Sequence, residues 1–362
     1  MNTDMNANII AGIRADINAG TDISIGINTN AIAGITPDKN AGKRHRPSFI
    51  RSALLILTAA AVLILPGCGG KKAPSVGIAE QYGIAYAPLQ IMKEQKLLEK
   101  RLPGVEINWK QFGGPTGIRE GMMNGEIDFG FMGVSPVLIG IDNGMKWRYA
   151  TGISSNEVAI VTRNDIHSLT ELTPKDRISI LSPACTQHVL LCMLAGQQLG
   201  DPHALDNQLV SMSHPDSVNA LLSATEITAH VSTPPYITQE LDSGMHVMAT
   251  GEEIFGQPFT FITGVAMEEF HDSRREYYDA VIDALQEAIE YINNNMEEAS
   301  QLLAPLYGIS QEELYRQMSR DGTIYSSELN GVDIFNRQMA EMGFLSEELP
   351  ADSLFFDNVV HH

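Results

Sequence analysis

From Ser75 onward, short apolar runs alternate with longer segments in which apolar residues recur every three or four positions. The short runs predict strands, the periodic segments predict helices, and their alternation is typical of an α/β protein built from βαβ units. The predicted strands are Val76–Ala79, Val105–Trp109, Phe129–Met132, Trp147–Thr151, Val158–Thr162, Ile178–Leu181, Gln208–Met212, Ala229–Val231 and Phe259–Thr263. The predicted helices lie near residues 86–100, 115–124, 136–143, 187–199, 215–223 and 235–242.

After residue 265 the pattern changes to a purely helical one. Apolar residues recur at helical spacing between residues 278 and 303, with charged residues on the opposite face. Two further helices are predicted near Gln311–Met318 and Asp333–Met342. We therefore expect an α/β front and a helical C-terminal tail that packs back on it. The final residues, His361 and His362, are expected to be disordered.

The N-terminal part of the chain has the order of a secretion signal. Residues 1–42 are rich in Asn, Ile, Ala, Gly and Thr and are left out of the fold: either they are a dispensable leader or the true start lies nearer Lys43. A basic cluster over residues 43–51 then precedes the apolar run Ala53–Leu65, which is shorter than the roughly 20 residues needed to cross a hydrocarbon core. The alternative is a membrane-proximal helix.

The residues that close this run, Leu65-Pro66-Gly67-Cys68, resemble a bacterial lipobox, in which the cysteine is acylated and becomes the new N-terminus. Pro66 departs from the alanine, serine or threonine usual at that position. The resemblance implies a leader and lipoprotein signal peptide over residues 1–67 and a lipidated tether over residues 68–74. The protein would then be extracytoplasmic and anchored to the cell membrane through Cys68; a plain signal peptide with an incidental cysteine is the alternative.

Composition excludes one class of partner. The chain carries 24 basic and 44 acidic residues, and since six basic and four acidic residues precede Cys68, the remainder has a net charge of −22. Such a field repels a phosphate backbone, so we expect no nucleic-acid partner. Residues 68–362 are enough for one large or two medium domains.

The two remaining cysteines do not predict a disulfide. Cys185 and Cys192 lie seven positions apart on a predicted helix, which separates them by about 10 Å, more than a disulfide tolerates. With His188 between them they suggest a metal site, but no second cluster nearby in sequence completes a tetrahedral ligand set. We expect two buried apolar cysteines, a pocket or capping histidine, and no metal or cofactor.

Three segments share a pattern in which a strand ends, a polar residue caps a helix, and a proline or small residue opens its first turn. Ser135 fits the cap of the first, with Pro136 following; Thr186 fits the second and Thr233 the third. Free amides at helix starts can hold an anionic group, and open α/β sheets bind ligands beyond the carboxyl ends of their strands. The three segments together predict a shared ligand site; simple helix capping is the alternative.

The first of these segments resembles a family signature. Residues 111–136, QFGGPTGIREGMMNGEIDFGFMGVSP, are similar to the central signature of solute-binding proteins of nitrate, sulfonate and taurine ABC importers and their thiamine-pyrimidine relatives. Residues 87–99 resemble the family's first helix, and Val265–Phe270 resembles its return to the first lobe. The similarity spans residues 76–296. It implies an α/β, two-lobed periplasmic-binding-protein fold of type II, each lobe a mixed sheet flanked by helices, with the helical tail packing on lobe one.

The resemblance also implies how the chain is divided. Lobe one would comprise residues 75–158 and, with the tail, residues 264–362, whereas lobe two would comprise residues 159–263. Crossings near residues 157–163 and 259–264 would form the hinge. The implied partners are a small-molecule ligand, an ABC permease and its ATPase, and we expect a monomer.

Carried onto this chain, the family's ligand pocket maps to ten residues. Those on lobe one are Glu80, Gln81, Tyr82, Val134 and Ser135, and those on lobe two are Thr186, His188, Thr233, Pro235 and Tyr236. The chain departs from the family pattern at Glu80, at the pair Ala184 and Cys185, which replaces a Gly-Ser turn, and at Ser232, which replaces a tryptophan.

Glu80 bears on the choice of ligand. A carboxylate in the cleft could pair with an ammonium group and favour a zwitterion such as an aminosulfonate over nitrate, although a solvated loop carboxylate is the alternative. The sequence contains no nucleophile elbow, phosphate loop, dinucleotide fingerprint or zinc-protease motif, and we predict a binding protein without catalytic residues. The alternatives are an enzyme on the same fold, of the pyrimidine-synthase or menaquinone-pathway type, with His188 as the first candidate for chemistry, and a sensor.

Overall fold

The computed structural model describes residues 74–163, 166–224, 227–320 and 322–362. The predicted leader, the signal peptide, Cys68 and all of the tether except Pro74 lie outside these residues. Within the described part of the chain, each helix is either too short or too polar to cross a membrane.

The strands and helices follow the alternation expected from the sequence. In chain order the strands are β1 (Ser75–Glu80), β2 (Glu106–Gln111), β3 (Phe129–Gly133), β4 (Trp147–Ser154), β5 (Ala159–Thr162), β6 (Ile178–Ile180), β7 (Leu209–Ser211), β8 (Ala229–Ser232), β9 (His246–Thr250) and β10 (Ile262–Met267). The helices are α1 (Ala87–Glu94), α2 (Leu97–Arg101), α3 (Pro115–Met123), α4 (Val134–Asp142), α5 (Thr186–Leu199), α6 (His214–Leu222), α7 (Tyr236–Asp242), α8 (Gly251–Phe255), α9 (Glu268–Ser273), α10 (Arg275–Asn294), α11 (Met296–Tyr307), α12 (Gln311–Met318) and α13 (Val332–Glu341).

Two five-stranded sheets organise the described residues. The first has the order β2-β1-β3-β10-β4 and the second the order β7-β6-β8-β5-β9. In each sheet three neighbouring strands pair in parallel, and one strand pairs antiparallel with two neighbours: β10 with β3 and β4, and β5 with β8 and β9. Each sheet is therefore mixed and flanked by helices, which confirms the predicted fold class. We call the two halves the first and second lobe.

The chain crosses between the sheets in two places, both slightly upstream of their predicted positions. It leaves the first sheet through residues 155–158 and returns through residues 251–261. A third segment of the tail braces both crossings. The amide of Ser155 donates to Ile324 O at 2.8 Å, the amide of Ile324 donates back to Ser155 O at 2.9 Å, and the amide of Thr260 donates to Asn330 O at 3.0 Å. Two crossings and one segment of the tail thus meet where the chain passes between the sheets.

The tail packs on the first lobe, as predicted, and it also reaches the second. Helix α10 buries its apolar face against α1 and α2, and α13 packs against α4. However, the Phe335 ring of α13 also stacks on Phe255 of the returning crossing, with centroids 4.6 Å apart. The Nε2 atom of His203, in the second lobe, lies 2.7 Å from Met342 O. The tail therefore connects both lobes.

Several predictions at the level of elements are wrong. The helix expected near residues 86–100 is two helices, Ala87–Glu94 and Leu97–Arg101. The strand expected at Phe259–Thr263 is Ile262–Met267, and β9 was missed because its apolar run, Val247–Ala249, is only three residues long. The helix expected over residues 278–303 is two helices that meet at Asn295. The last residues are ordered against the tail: the amide of His362 donates to Leu329 O at 2.8 Å, and the His361 ring stacks on Phe355.

A helical glycine gives a test of the packing in the first lobe. A Cβ atom added at Gly140 would lie 1.9 Å from the ring of Trp147, which is fully buried. We expect Gly140→Ala to lower the free energy of unfolding by about 1–3 kcal/mol through overpacking. The matched control is Gly196→Ala in α5, where the nearest atom to the new Cβ lies 3.4 Å away and the gain in helix propensity should dominate. Urea unfolding measures both; equal effects of the two variants would contradict the packing argument.

Candidate functional site

The two lobes meet where strands β1, β3, β6 and β8 end and α4 and α5 begin. The amide of Ser135, in the first turn of α4, donates to the Thr186 hydroxyl at the start of α5, with N and Oγ1 3.3 Å apart. Nearby, the amide of Ile84 donates to Pro234 O of the second lobe at 3.3 Å. These hydrogen bonds join the lobes directly across the predicted cleft.

Little space remains between the lobes at this contact. The cavity at this contact measures about 10 Å³, and among the residues that line it are Gln81, Tyr86, Gly133, Thr186 and Gln187. That volume is about what a single water molecule needs. A solute can therefore enter only when the lobes move apart, and the structure shows a closed cleft.

The helix starts differ by one or two residues from the predicted ones. Helix α4 is capped by Gly133, so Ser135 lies inside the first turn. Helix α5 is capped by Cys185 and α7 by Pro235, so Thr186 and Thr233 are not the caps. None of these three caps receives a side-chain hydrogen bond, and an amide of α4 is instead satisfied by the Thr186 hydroxyl of the other lobe.

Glu80 lies at the end of β1 and is buried, so the alternative of a solvated loop carboxylate is wrong. Its Oε2 atom accepts a hydrogen bond from Gln90 Nε2 at 2.5 Å, and Lys93 Nζ lies 3.9 Å from Oε1. Burial raises the pKa of Glu80 to about 7, since the attraction of Lys93 and the Gln90 hydrogen bond only partly offset the loss of hydration. A carboxyl group that ionises near neutral pH is therefore buried next to Gln81, which lines the cleft.

Tyrosines surround the loop that follows Glu80, and two of them come from the tail. The Tyr307 hydroxyl donates to Gly83 O at 3.3 Å, and the Tyr325 hydroxyl donates to Ile84 O at 3.4 Å. Burial, and then the nearby Glu80 charge, raise the pKa of Tyr86, so it stays neutral. Tyr307 and Tyr325 were missed because they lie more than 200 residues from this loop and no local motif marks them.

The remaining predicted residues of the first lobe occupy different environments. Gln81 lines the cleft; its Nε2 atom donates to Phe131 O at 3.4 Å, while its Oε1 atom is buried without a hydrogen-bond partner. The Ser135 hydroxyl is also buried without a partner. Tyr82 is 40% exposed, and Val134 is buried with its carbonyl oxygen accepting from the Tyr149 hydroxyl at 2.7 Å.

His188 is separate from the other predicted residues, because both its ring nitrogens are engaged elsewhere. Nδ1 accepts from the amide of Ala184 at 2.9 Å, and Nε2 lies 3.4 Å from Asp206 Oδ1. The ring edge packs on Phe344 of the tail. His188 is not among the residues that line the closed cleft.

The structure adds Asp206 to the metal hypothesis, but the hydrogen bonds disfavour it. Ligand atoms of His188, Cys192 and Asp206 lie within 4.8 Å of one another. Because Nδ1 of His188 accepts from Ala184, its proton sits on Nε2, the nitrogen that would have to bind the metal. Burial, followed by the charges of Asp206 and Asp201, raises the pKa of Cys192 to about 12, which keeps the thiol protonated. The group fits a hydrogen-bonded cluster.

A buried polar chain runs from the cleft into the second lobe, and the sequence patterns did not reveal it. Nε2 of His214 lies 3.3 Å from both Thr233 Oγ1 and Gln187 Nε2. On its other side, Nδ1 lies 2.8 Å from Nε2 of His230, whose Nδ1 lies 2.6 Å from Glu240 Oε1. Only the fold unites these residues, since they come from α5, α6, β8, α7 and the loop between the last two.

Of the predicted residues on the second lobe, Thr186 and Thr233 are buried at the contact between the lobes. Pro235 is buried and follows a cis peptide bond after Pro234. Tyr236 stacks on His214 with ring centroids 5.2 Å apart. Among the described residues, no lysine or arginine lines this small cavity; Arg119 lies at an adjoining cavity near Ser182 and Ala184. The polar side chains that line the small cavity, Gln81, Tyr86, Thr186 and Gln187, are neutral.

Two lobes on either side of a polar cleft define a periplasmic-binding-protein fold. Comparison with known proteins identifies the family. The sequence profile of the NMT1-like family matches residues 69–306, more than half of the chain, and the chain belongs to this family. The predicted family resemblance is thereby confirmed. A comparison with curated protein sequences found no match.

Solved structures share the fold at low sequence identity. The alkanesulfonate-binding protein SsuA of Xanthomonas axonopodis pv. citri, bound to MOPS, is 18% identical with a TM-score of 0.66, covering 81% of this chain and 100% of that one. The aliphatic sulphonate-binding SsuA of Escherichia coli is 20% identical with a TM-score of 0.60, covering 79% and 93%. The nitrate-binding protein NrtA of Synechocystis PCC 6803 is 14% identical with a TM-score of 0.64, covering 78% and 86%.

The close approach of the lobes depends on Gly133. A Cβ atom at this position would lie 2.3 Å from Thr186 Oγ1, although the backbone at Gly133 suits any residue. We expect Gly133→Ala to keep the lobes apart and to increase the radius of gyration measured by small-angle scattering. Adding Thr186→Ala removes the clashing hydroxyl and should restore closure. An unchanged radius in Gly133→Ala would contradict the steric role of this glycine.

The buried carboxyl of Glu80 should make stability depend on pH. Its pKa is about 7 in the folded protein and near 4.3 when unfolded, so the folded state binds the proton more tightly. Stability is then fully present below about pH 4 and is lost as the pH rises through 7, by about 3 kcal/mol at most. Compared with wild type, Glu80→Gln should become relatively more stable between pH 5 and pH 8 in urea unfolding. Glu347→Gln, at an exposed loop position, is the control; a parallel response of both variants would contradict the assignment.

Proposed function

We propose that the protein is the extracytoplasmic solute-binding component of an ABC importer, which captures a small organic anion or zwitterion between its two lobes. The observation that carries this proposal is the closed cleft, in which the starts of α4 and α5 meet through Ser135 and Thr186. Family membership and the folds of the sulfonate- and nitrate-binding proteins support it. In the part of the chain that the structure describes, no observation favours the alternative of an enzyme.

The contact between the lobes indicates how a solute oxygen would bind. The Thr186 hydroxyl oxygen occupies the acceptor position for the free amide of Ser135. When the lobes part, this amide and the unpartnered Ser135 hydroxyl become available, and a sulfonate or similar group can accept from both. The predicted pocket residues Gln81, Thr186 and Thr233 lie at the same contact, whereas His188 would need to turn from its present partners to take part.

Glu80 and the tyrosines beside it could bind the ammonium end of a zwitterion. A buried carboxylate beside Tyr86 and Tyr307 can hold an ammonium group through charge and through the faces of the rings. Binding of the ammonium group would also favour the ionised form of Glu80, whose pKa of about 7 leaves it only partly charged. We therefore place a zwitterion of the taurine type ahead of nitrate.

Closure would take place about the braced hinge. We propose lobes over residues 75–158 with 264–362 and over residues 159–263, moving about the crossings at residues 155–158 and 251–261. Because the solute contacts both lobes only when they are closed, its differential affinity drives closure. The permease and ATPase would recognise the closed form of a monomer.

The proposed location is outside the cytoplasm, at the membrane. Acylation of Cys68 would leave residues 69–74 as a short tether before β1. Two acyl chains are needed for stable anchoring, and the tether would raise the local concentration of the protein beside its permease. Both the lipid anchor and the signal peptide are proposals from the sequence.

A ligand panel tests the function. Taurine, ethanesulfonate, nitrate, bicarbonate and an aminopyrimidine are each added to protein freed of bound ligand by unfolding and refolding. A true ligand at 100 times its Kd should stabilise the protein by about 2.7 kcal/mol. Glu80→Gln should weaken taurine at least tenfold and leave ethanesulfonate within about threefold, since only taurine carries an ammonium group. Absence of a shift with every probe would reject this ligand class, and an equal loss for both sulfonates would reject the pairing of Glu80 with ammonium.

A further inference from the structure

The chain of Thr233, His214, His230 and Glu240 links the cleft to a carboxyl group inside the second lobe. His214, His230 and Glu240 are each at most 3% exposed, and successive polar atoms lie 2.6–3.3 Å apart. Gln187, which lines the cleft, shares the outer nitrogen of His214 with Thr233. Neither ring has another hydrogen-bond partner among the described residues. Each must donate through one nitrogen and accept through the other when neutral.

This requirement allows two directions of donation along the hydrogen-bonded chain from Glu240 to Thr233. If Glu240 is ionised, it accepts from Nδ1 of His230, Nε2 of His230 accepts from Nδ1 of His214, and Nε2 of His214 must accept from Thr233 or Gln187. If Glu240 is protonated on Oε1, the oxygen 2.6 Å from Nδ1 of His230, it donates to His230 and every hydrogen bond reverses, so that Nε2 of His214 donates toward the cleft. One proton on a buried carboxyl therefore decides whether the outer end of the chain donates or accepts.

Burial keeps that proton in place near neutral pH. It raises the pKa of Glu240 to about 8, against the opposing effect of the Ser232 hydroxyl beside it, and lowers the pKa of His230 to about 3. The pKa of His214 is also lowered, first by burial and then by His230. The protonated chain carries no charge, whereas the deprotonated one carries a buried negative charge without a cationic partner.

Other titratable groups near the chain are few. Tyr236 stacks on His214, and burial raises its pKa to about 12, so it stays neutral below pH 10. Asp216 of α6 is exposed and bonds Ser213 at the helix start. Ser179 and Ser217, on β6 and α6, bond each other and carry no charge. Across the cleft, Glu80 ionises near pH 7 and must be controlled for.

We propose that His214, His230 and Glu240 are positioning residues that set the hydrogen-bond polarity of the second-lobe wall, so that an anionic group binds together with one proton held on this chain. When His214 donates to Thr233, the threonine hydroxyl is free to donate to the solute. Gln187, whose Nε2 atom faces Nε2 of His214 in the structure, would then turn its amide over and present its NH₂ group to the cleft. The proposal rests on the proposed function. It explains how a cleft without a lining lysine or arginine, in a strongly acidic protein, can attract an anion.

The first test is the pH dependence of ethanesulfonate binding between pH 6 and pH 10, measured by calorimetry in the Glu80→Gln background to remove the other cleft carboxyl. We expect constant affinity up to about pH 8 and then a tenfold loss per pH unit, with uptake of up to one proton per ligand. Glu240→Gln, which has no proton to lose, should abolish both the slope and the proton uptake. Asp242→Asn, an exposed change on the same helix, should retain them.

A purely structural role for Glu240 predicts a different result, in which Glu240→Gln lowers the affinity equally at every pH and wild type shows no slope. That result, or a slope that survives Glu240→Gln, would overturn the proposal.

A second measurement does not need a ligand. In free protein labelled with ¹⁵N-histidine, the rings of His214 and His230 should carry their proton on Nε2 at pH 7 and on Nδ1 at pH 10. His214→Gln and His230→Gln assign the signals. If no solute binds but the tautomers change with pH, the proposed function fails and the reversal of the hydrogen bonds by the Glu240 proton is supported. Tautomers that do not change with pH would overturn that reversal.

Discussion

Free amides at helix starts are the constraint on which this cleft depends. The first turn of a helix has N–H groups without intrahelical partners, and here the caps of α4, α5 and α7 supply no side chain to satisfy them. One amide of α4 is satisfied from the other lobe, by Thr186, and that contact is possible because Gly133 has no side chain. The Ser135 amide at the start of α4 thus has its hydrogen-bond partner, Thr186, only when the lobes are closed. A solute oxygen that replaces the threonine hydroxyl would use the same geometry.

The cleft combines this donor with two buried carboxyl groups, one behind each wall. Glu80 and Glu240 both have a pKa raised by burial into the neutral range, so each can gain or lose its charge at little cost when a ligand arrives. Their surroundings differ: Glu80 lies among tyrosines beside Lys93, whereas the Glu240 carboxyl lies beside His230 and the Ser232 hydroxyl. The first suits a direct ion pair with a solute, and the second suits an indirect effect through hydrogen bonds.

The tail does more than cover the first lobe, because it also contacts both crossings and the loop after β1. Residues 324–330 pair with both crossings, Tyr307 and Tyr325 hold the loop after β1, and α13 contacts the returning crossing through Phe335. The proposed motion of the lobes would therefore bend three segments and shift the aromatic contact. Such a hinge would limit the directions in which the lobes can open, since each added segment removes a degree of freedom.

The sequence by itself determined the fold class, most of the elements and the family, because apolar periodicity and the segment over residues 111–136 are local properties. It also brought Gln81, Ser135, Thr186 and Thr233 to one site, since the ends of parallel strands share an edge of the sheet. Only the tertiary structure decided the burial of Glu80, the diversion of His188 to Ala184 and Asp206, and the assembly of Tyr307, His214, His230 and Glu240. Burial, hydrogen-bond partners and pKa arise from residues far apart in the chain. No spacing or composition encodes them, because they depend on which surfaces the folded lobes place together.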